Sequence, residues 1–78
     1  MVSTQLKPGQ KARVLSICGG RGIEKRMLEM GIVPGTEITL IGKHPFRGPV
    51  VFQVGNARIA VGRKMAESLE VEPEEAND

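Results

Sequence analysis

Few side chains in this chain are of types that could do chemistry. One histidine, His44, stands in "KHPFRGP", Lys43 to Pro49, with no Asp or Glu within four residues of it. Ferrous iron takes imidazole and carboxylate ligands in a cluster, so His44 reads as a surface loop residue. One cysteine, Cys18, excludes an intramolecular disulfide and a multi-cysteine metal site. Lying between an apolar run and two glycines, it reads as a small buried or half-buried hydrophobe. Met27, Met30 and Met65 carry thioethers, which suit copper(I) better than iron(II), and their spacing is that of core residues. "GGRG", Gly19 to Gly22, is glycine-rich, but no GxxxxGK[ST] phosphate loop exists anywhere in the chain. It reads as a connection that lets a strand turn into a helix. No Ser or Cys has a histidine at a plausible relay spacing. The expectation is a protein that is not an enzyme and has no metal, nucleotide or other cofactor site of its own.

With catalysis set aside, the elements and the charge carry the information. At 78 residues, one domain with a thin core is the only sensible count. There is no Trp or Tyr and only Phe46 and Phe52, so the core must be aliphatic. Nothing approaches the ~20 apolar residues of a spanning helix, and no signal peptide is visible, which points to the cytoplasm. The net charge of +2 hides an asymmetry. Glu72, Glu74, Glu75 and Asp78 gather at the end, leaving residues 1–71 at +6, from 11 Lys and Arg against five acids. The division expected is a folded domain over 1–71 and an acidic, disordered, solubilising tail over 72–78.

Along the chain, Met1 to Gln10 shows no period, and Lys7-Pro8-Gly9 reads as a turn. "KARVLSIC", Lys11 to Cys18, reads as a strand whose inward face changes between Val14 and Leu15, the mark of a bulge or of burial on both sides. In "IEKRMLEM", Ile23, Met27 and Met30 fall on one helical stripe at i, i+4 and i+7. Gly31 follows where a helix C-terminus takes a left-handed residue, and Ile32 can fold back onto the last turn. Pro34-Gly35 suits a type II turn. "TEITLIG" alternates as a strand, with Ile38 and Leu40 on one face. "VVFQV" and "ARIAV" are strands joined by a two-residue Gly55-Asn56 hairpin of type II′. "GRKMAES" makes one helical turn at most, and "LEV", Leu69 to Val71, is a last short strand. Five short strands at close spacing hide their edges by curling into a small barrel.

Three segments, "RMLEMGIVPGTEI", "HPFRGPVVFQV" and "RIAVGRKMAESLEV", resemble the ferrous iron transport protein A (FeoA) family, and the resemblance runs from about Leu6 to Val71. The first block is an apolar helix end, Gly, apolar, any, Pro-Gly and a small residue, here Met30-Gly31-Ile32-Val33-Pro34-Gly35-Thr36. The second is a Pro-containing loop into an apolar strand, matched by Pro45 and by Pro49 with Val50. The third is a strand, a basic pair and an Ala-containing turn into Leu-Glu-Val, matched by Arg63, Lys64, Ala66 and Leu69-Glu70-Val71. The chain departs from the family at Gly48, where members commonly carry Asp, so the resemblance brings no carboxylate role to that position. What it implies is a mostly β, five-stranded SH3-like barrel with one short helix after the first strand and a helical turn before the last. It further implies a cytosolic accessory protein without enzymatic activity, working with the membrane ferrous iron transporter that carries a GTP-binding domain (FeoB). Iron-dependent repressors of the diphtheria toxin repressor type share the barrel, but this chain lacks their preceding helix-turn-helix.

A protein without chemistry acts through contacts. Leu28 lies about 100° around the helix from Met27, off the buried stripe. Leu28 with Arg21, Lys25 and Arg26 as a basic rim is the expected partner surface, with Phe46 in the second Pro block as a further contact. The alternative for Leu28 is a widened core stripe tucked under the neighbouring loop. A weak homo-oligomer is compatible with these features, and the membrane is expected to be reached only through the partner. An alternative function is a small basic barrel that binds nucleic acid or serves as a regulatory interaction module. Against nucleic acid stand the lack of stacking aromatics and the spread of the bases along the chain.

Overall fold

The computed structural model describes residues 1–75. Five strands, β1 (Lys11–Ile17), β2 (Glu37–Lys43), β3 (Val50–Val54), β4 (Ala57–Val61) and β5 (Leu69–Pro73), form one antiparallel sheet in the order β4-β3-β2-β1-β5. Helix α1 (Arg21–Glu29) follows β1, α2 (Arg63–Glu67) joins β4 to β5, and a 3-10 turn at Ser3–Gln5 precedes β1. The fold is the mostly β, SH3-like arrangement expected. The sheet curls without joining its ends: among the described residues β4 pairs only with β3, and α2 spans the gap to β5.

Alternation puts Ala12 and Val14 of β1, Ile38 and Leu40 of β2, Val50 and Phe52 of β3 and Leu69 and Val71 of β5 into one fully buried cluster. The pairing of β1 with β5 shifts register between Val14 and Ser16, so Leu15 is the bulged residue and turns outward, 48% exposed. This is the change of face legible in "RVLSI". Helix α1 lays Met27 on the core, with Ile23 and Met30 half-buried beside it. Its end is a Schellman motif. The Ile32 N–H donates to the Met27 carbonyl at 2.8 Å, the Gly31 N–H donates to the Leu28 carbonyl at 2.9 Å, and Gly31 takes φ +82°. Ile32, completely buried, supplies the hydrophobic contact of that motif. The Thr36 N–H then donates to the Val33 carbonyl with Gly35 at φ +97°, the type II turn at Pro34-Gly35.

Three boundaries differ from the sequence reading. Helix α1 begins at Arg21, so half of the glycine-rich connection is already helical. β5 continues to Pro73, and the Glu74 N–H donates to the Lys11 carbonyl, so the sheet takes in residues assigned to the acidic tail. Cross-strand hydrogen bonds to β1 hold the chain there, and local composition cannot report them. The remainder of that tail, 76–78, lies outside the described residues. Thirdly, the aperiodic N-terminal segment is built in. Leu6 and Ser3 are fully buried, and the Ser3 hydroxyl donates to the Ala66 carbonyl. The Val71 N–H donates to the Met1 carbonyl, and Val2 bridges Glu70, covering the outer edge of β5.

Candidate functional site

On α1, Arg21, Glu24, Lys25 and Leu28 are three or four residues apart and therefore share one face. That face looks across a groove of about 670 Å3 toward Ile32, Val33 and Pro34 of the following turn and Ser16 and Ile17 of β1. Leu28 is 61% exposed and Val33 38%, while Ile32 beneath them is completely buried. The floor is thus core and the wall is open leucine and valine. Leu28 is no part of a core stripe tucked under a loop. Its exposure follows from helix phase: with Met27 fixed on the core, the next residue is turned about 100° away. Arg21 and Lys25 carry the basic rim, and Glu24 adds one carboxylate to it. Arg26 is exposed but does not line the groove.

Phe46 belongs to a different place. The loop between β2 and β3 closes through the His44 N–H donating to the Pro49 carbonyl at 2.9 Å and the Gly48 N–H donating to the Pro45 carbonyl at 3.1 Å. Inside that closure Phe46 and Arg47 both have positive φ, 58° and 59°, and Phe46 is 100% exposed. Gly48 is required here: a Cβ on it would stand 2.9 Å from the His44 Cβ and 3.1 Å from the Pro45 carbonyl oxygen. The family's usual Asp does not fit this loop without a shift. From α2, Arg63 Nη2 donates to the His44 carbonyl at 3.2 Å, and Glu67 stands 3.7 Å from Arg47. Sequence spacing gave no signal of the paired left-handed residues.

Among the described residues no three His, Cys, Asp or Glu side chains come together to hold a metal ion. His44 instead borders a depression lined by Lys43, Pro45, Val51 and Arg58, a cationic setting. Contrary to the burial expected from the sequence, Cys18 is exposed: it follows the end of β1, its N–H donating to the Ser68 carbonyl. No helix among the described residues is long and apolar enough to cross a membrane. Just past β5, Glu37 as a hydrogen-bonding neighbour holds the Glu74 carboxyl above the usual carboxylate range; slight desolvation and the Glu37 charge add to the rise, and Arg13 and Lys11 oppose it.

Comparison with known proteins places this architecture. The FeoA domain model matches residues 4–73. The chain belongs to the FeoA family. A relative in Porphyromonas gingivalis, an Fe(2+) transport protein A/Fe(2+) transporter FeoB fusion protein, is 33% identical over 69 residues. That match takes in 88% of this chain but 8% of the fusion protein, so the FeoA-like chain spans a small part of this relative. The solution structure of iron(II) transport protein A from Clostridium thermocellum is 32% identical with a TM-score of 0.85, over 92% of this chain and 44% of that one. The zinc complex of Stenotrophomonas maltophilia FeoA, described as a prokaryotic SH3 domain protein, is 29% identical with a TM-score of 0.76, over 92% and 89% of the two chains. The FeoA assignment and its tie to ferrous iron transport therefore agree with what the sequence blocks implied.

Proposed function

We propose that this FeoA-family chain is a non-catalytic cytosolic accessory protein of ferrous iron uptake. It docks on the membrane ferrous iron transporter with a GTP-binding domain, the FeoB type, and modulates it. The observation that carries this reading is the P. gingivalis relative, in which a segment like this chain and FeoB form one polypeptide. Covalent fusion raises the effective concentration of one part for the other, which is of use only where the parts work together. The groove beside α1 supplies the surface. Leu28 and Val33 lie in water and gain from burial at roughly 25 cal/mol per Å2, while Arg21, Lys25 and Arg26 steer an acidic partner. GTP binding and hydrolysis, on this reading, stay with the transporter.

The test is a pull-down against the transporter's cytosolic domain, with and without guanine nucleotide, comparing the native chain with Leu28→Gln. The substitution should leave the melting temperature nearly unchanged, within about 0.5 kcal/mol of stability, as exposed positions do. It should weaken capture about tenfold, because burial of a leucine side chain contributes roughly 1.5–3 kcal/mol. Equal capture of the two proteins would remove the groove from the interface. GTP hydrolysis by the pure protein would sink the non-catalytic reading.

A further inference from the structure

The β2–β3 loop stands apart from the groove and has a different chemistry. Its tip is convex: Phe46 is fully exposed, held out by two successive left-handed residues. Positive φ is an outlier for a bulky residue and persists only where the surroundings impose it. Here the Pro45–Gly48 and His44–Pro49 hydrogen bonds, the Arg63 clasp on the His44 carbonyl and Glu67 beside Arg47 impose it. A preorganised phenyl ring in water stabilises nothing in the folded chain. A cationic collar of Lys43, Arg47 and Arg58 lies in this loop and the depression beside it, with the carboxylate of Glu67 near Arg47. The adjoining depression also holds half-buried Ile41 and Val51.

We propose that this loop is an interfacial anchor: Phe46 enters the headgroup region of an anionic phospholipid surface while the basic collar binds the lipid phosphates. The form of the loop selects this occupant. A single protruding ring suits a deformable layer, whereas a protein partner would need a matching pocket. The collar's sign is complementary to an anionic leaflet, each base near such a surface contributing about 1 kcal/mol. The same sign opposes docking of the tip into the groove of a second copy, whose rim of Arg21 and Lys25 is also basic. One ring and a few bases give weak, reversible binding, as paired apolar and polybasic signals do. The membrane would then be touched directly and not only through the transporter. Vesicle binding and transporter binding can fail independently, so this inference and the groove are separable.

The absence of Trp and Tyr makes the test direct, since Phe46→Trp is a lone indole reporter. Vesicles of phosphatidylcholine with phosphatidylglycerol should shift its emission to the blue, vesicles of phosphatidylcholine alone should not, and salt should reverse the shift. In cosedimentation, Phe46→Ser should lose about tenfold in partitioning. Lys43→Gln and Arg58→Gln, neither of which holds the loop closed, should each lose about fivefold. Unchanged emission with anionic vesicles, an equal shift with neutral ones, or undiminished binding of Phe46→Ser would overturn the proposal. A shift seen only with the transporter's cytosolic domain would overturn it too and give the loop to a protein partner.

Discussion

The backbone turns left-handed at two sites with opposite residue choices. At the end of α1, Gly31 takes φ +82° and open space surrounds the place where a Cβ would stand. The cost of a side chain there is conformational alone. In the β2–β3 loop Phe46 and Arg47 take φ 58° and 59° with their side chains in place. The first site closes a helix over the core, and the residue type follows the backbone. The second presents a side chain outward, and the backbone bears the strain. Left-handed glycine is therefore a mark of construction in this molecule, and under the proposed anchor left-handed phenylalanine is a mark of use.

The largest effect should come from the core residue that the Gly31 cap locks down. Ile32→Ala empties a fully buried site beneath the groove and should cost about 2–5 kcal/mol, read in thermal or urea unfolding. A smaller loss would mean that the groove floor collapses to fill the space. Next comes the cap itself. Gly31→Asn should cost on the order of 1 kcal/mol and Gly31→Val more, because β-branching is worst at positive φ. Equal melting temperatures for the two would contradict the cap assignment.

The loop should answer with the opposite sign. Phe46→Gly removes the left-handed strain and should raise stability by up to about 1 kcal/mol, the added freedom of the unfolded chain offsetting part of the gain. A lower melting temperature would mean that the ring packs on something and that the strain is not stored for use. The smallest effect concerns Glu74, whose carboxyl the neighbouring Glu37 holds above the usual range. A carboxyl with a raised folded pKa contributes stability below that pKa and loses it as pH rises through it. Glu37→Gln should therefore raise the melting temperature slightly at neutral pH. The difference should shrink as the pH is lowered through the titration of Glu74; a gain that persists in acid would assign the effect to something other than this pair.

Local physics written along the chain was enough for most elements. The Met30-to-Thr36 block specified a Schellman end and a type II turn because glycine and proline restrict φ directly. The shift of face between Val14 and Leu15 specified the bulge, and Gly55, alone of its pair at positive φ, fits the type II′ hairpin read from Gly55-Asn56. Helix phase set Leu28 off the Met27 stripe but left a widened stripe open, and only the exposure of Leu28 in the fold closed that alternative. Tertiary structure decided what depends on partners distant in sequence. Ser3 and Leu6 have no periodic context, and only α2 and the sheet make them core. β5 reaches into an acidic run because β1 offers it unpaired carbonyl and N–H groups, a long-range term that no window of sequence contains. The groove exists because α1 is laid beside β1, and the loop that carries the left-handed Phe46 is clasped by Arg63, distant in sequence, at the His44 carbonyl. Turn chemistry is a property of neighbours in the chain, whereas exposure, strain and a collar of like charge are properties of neighbours in space.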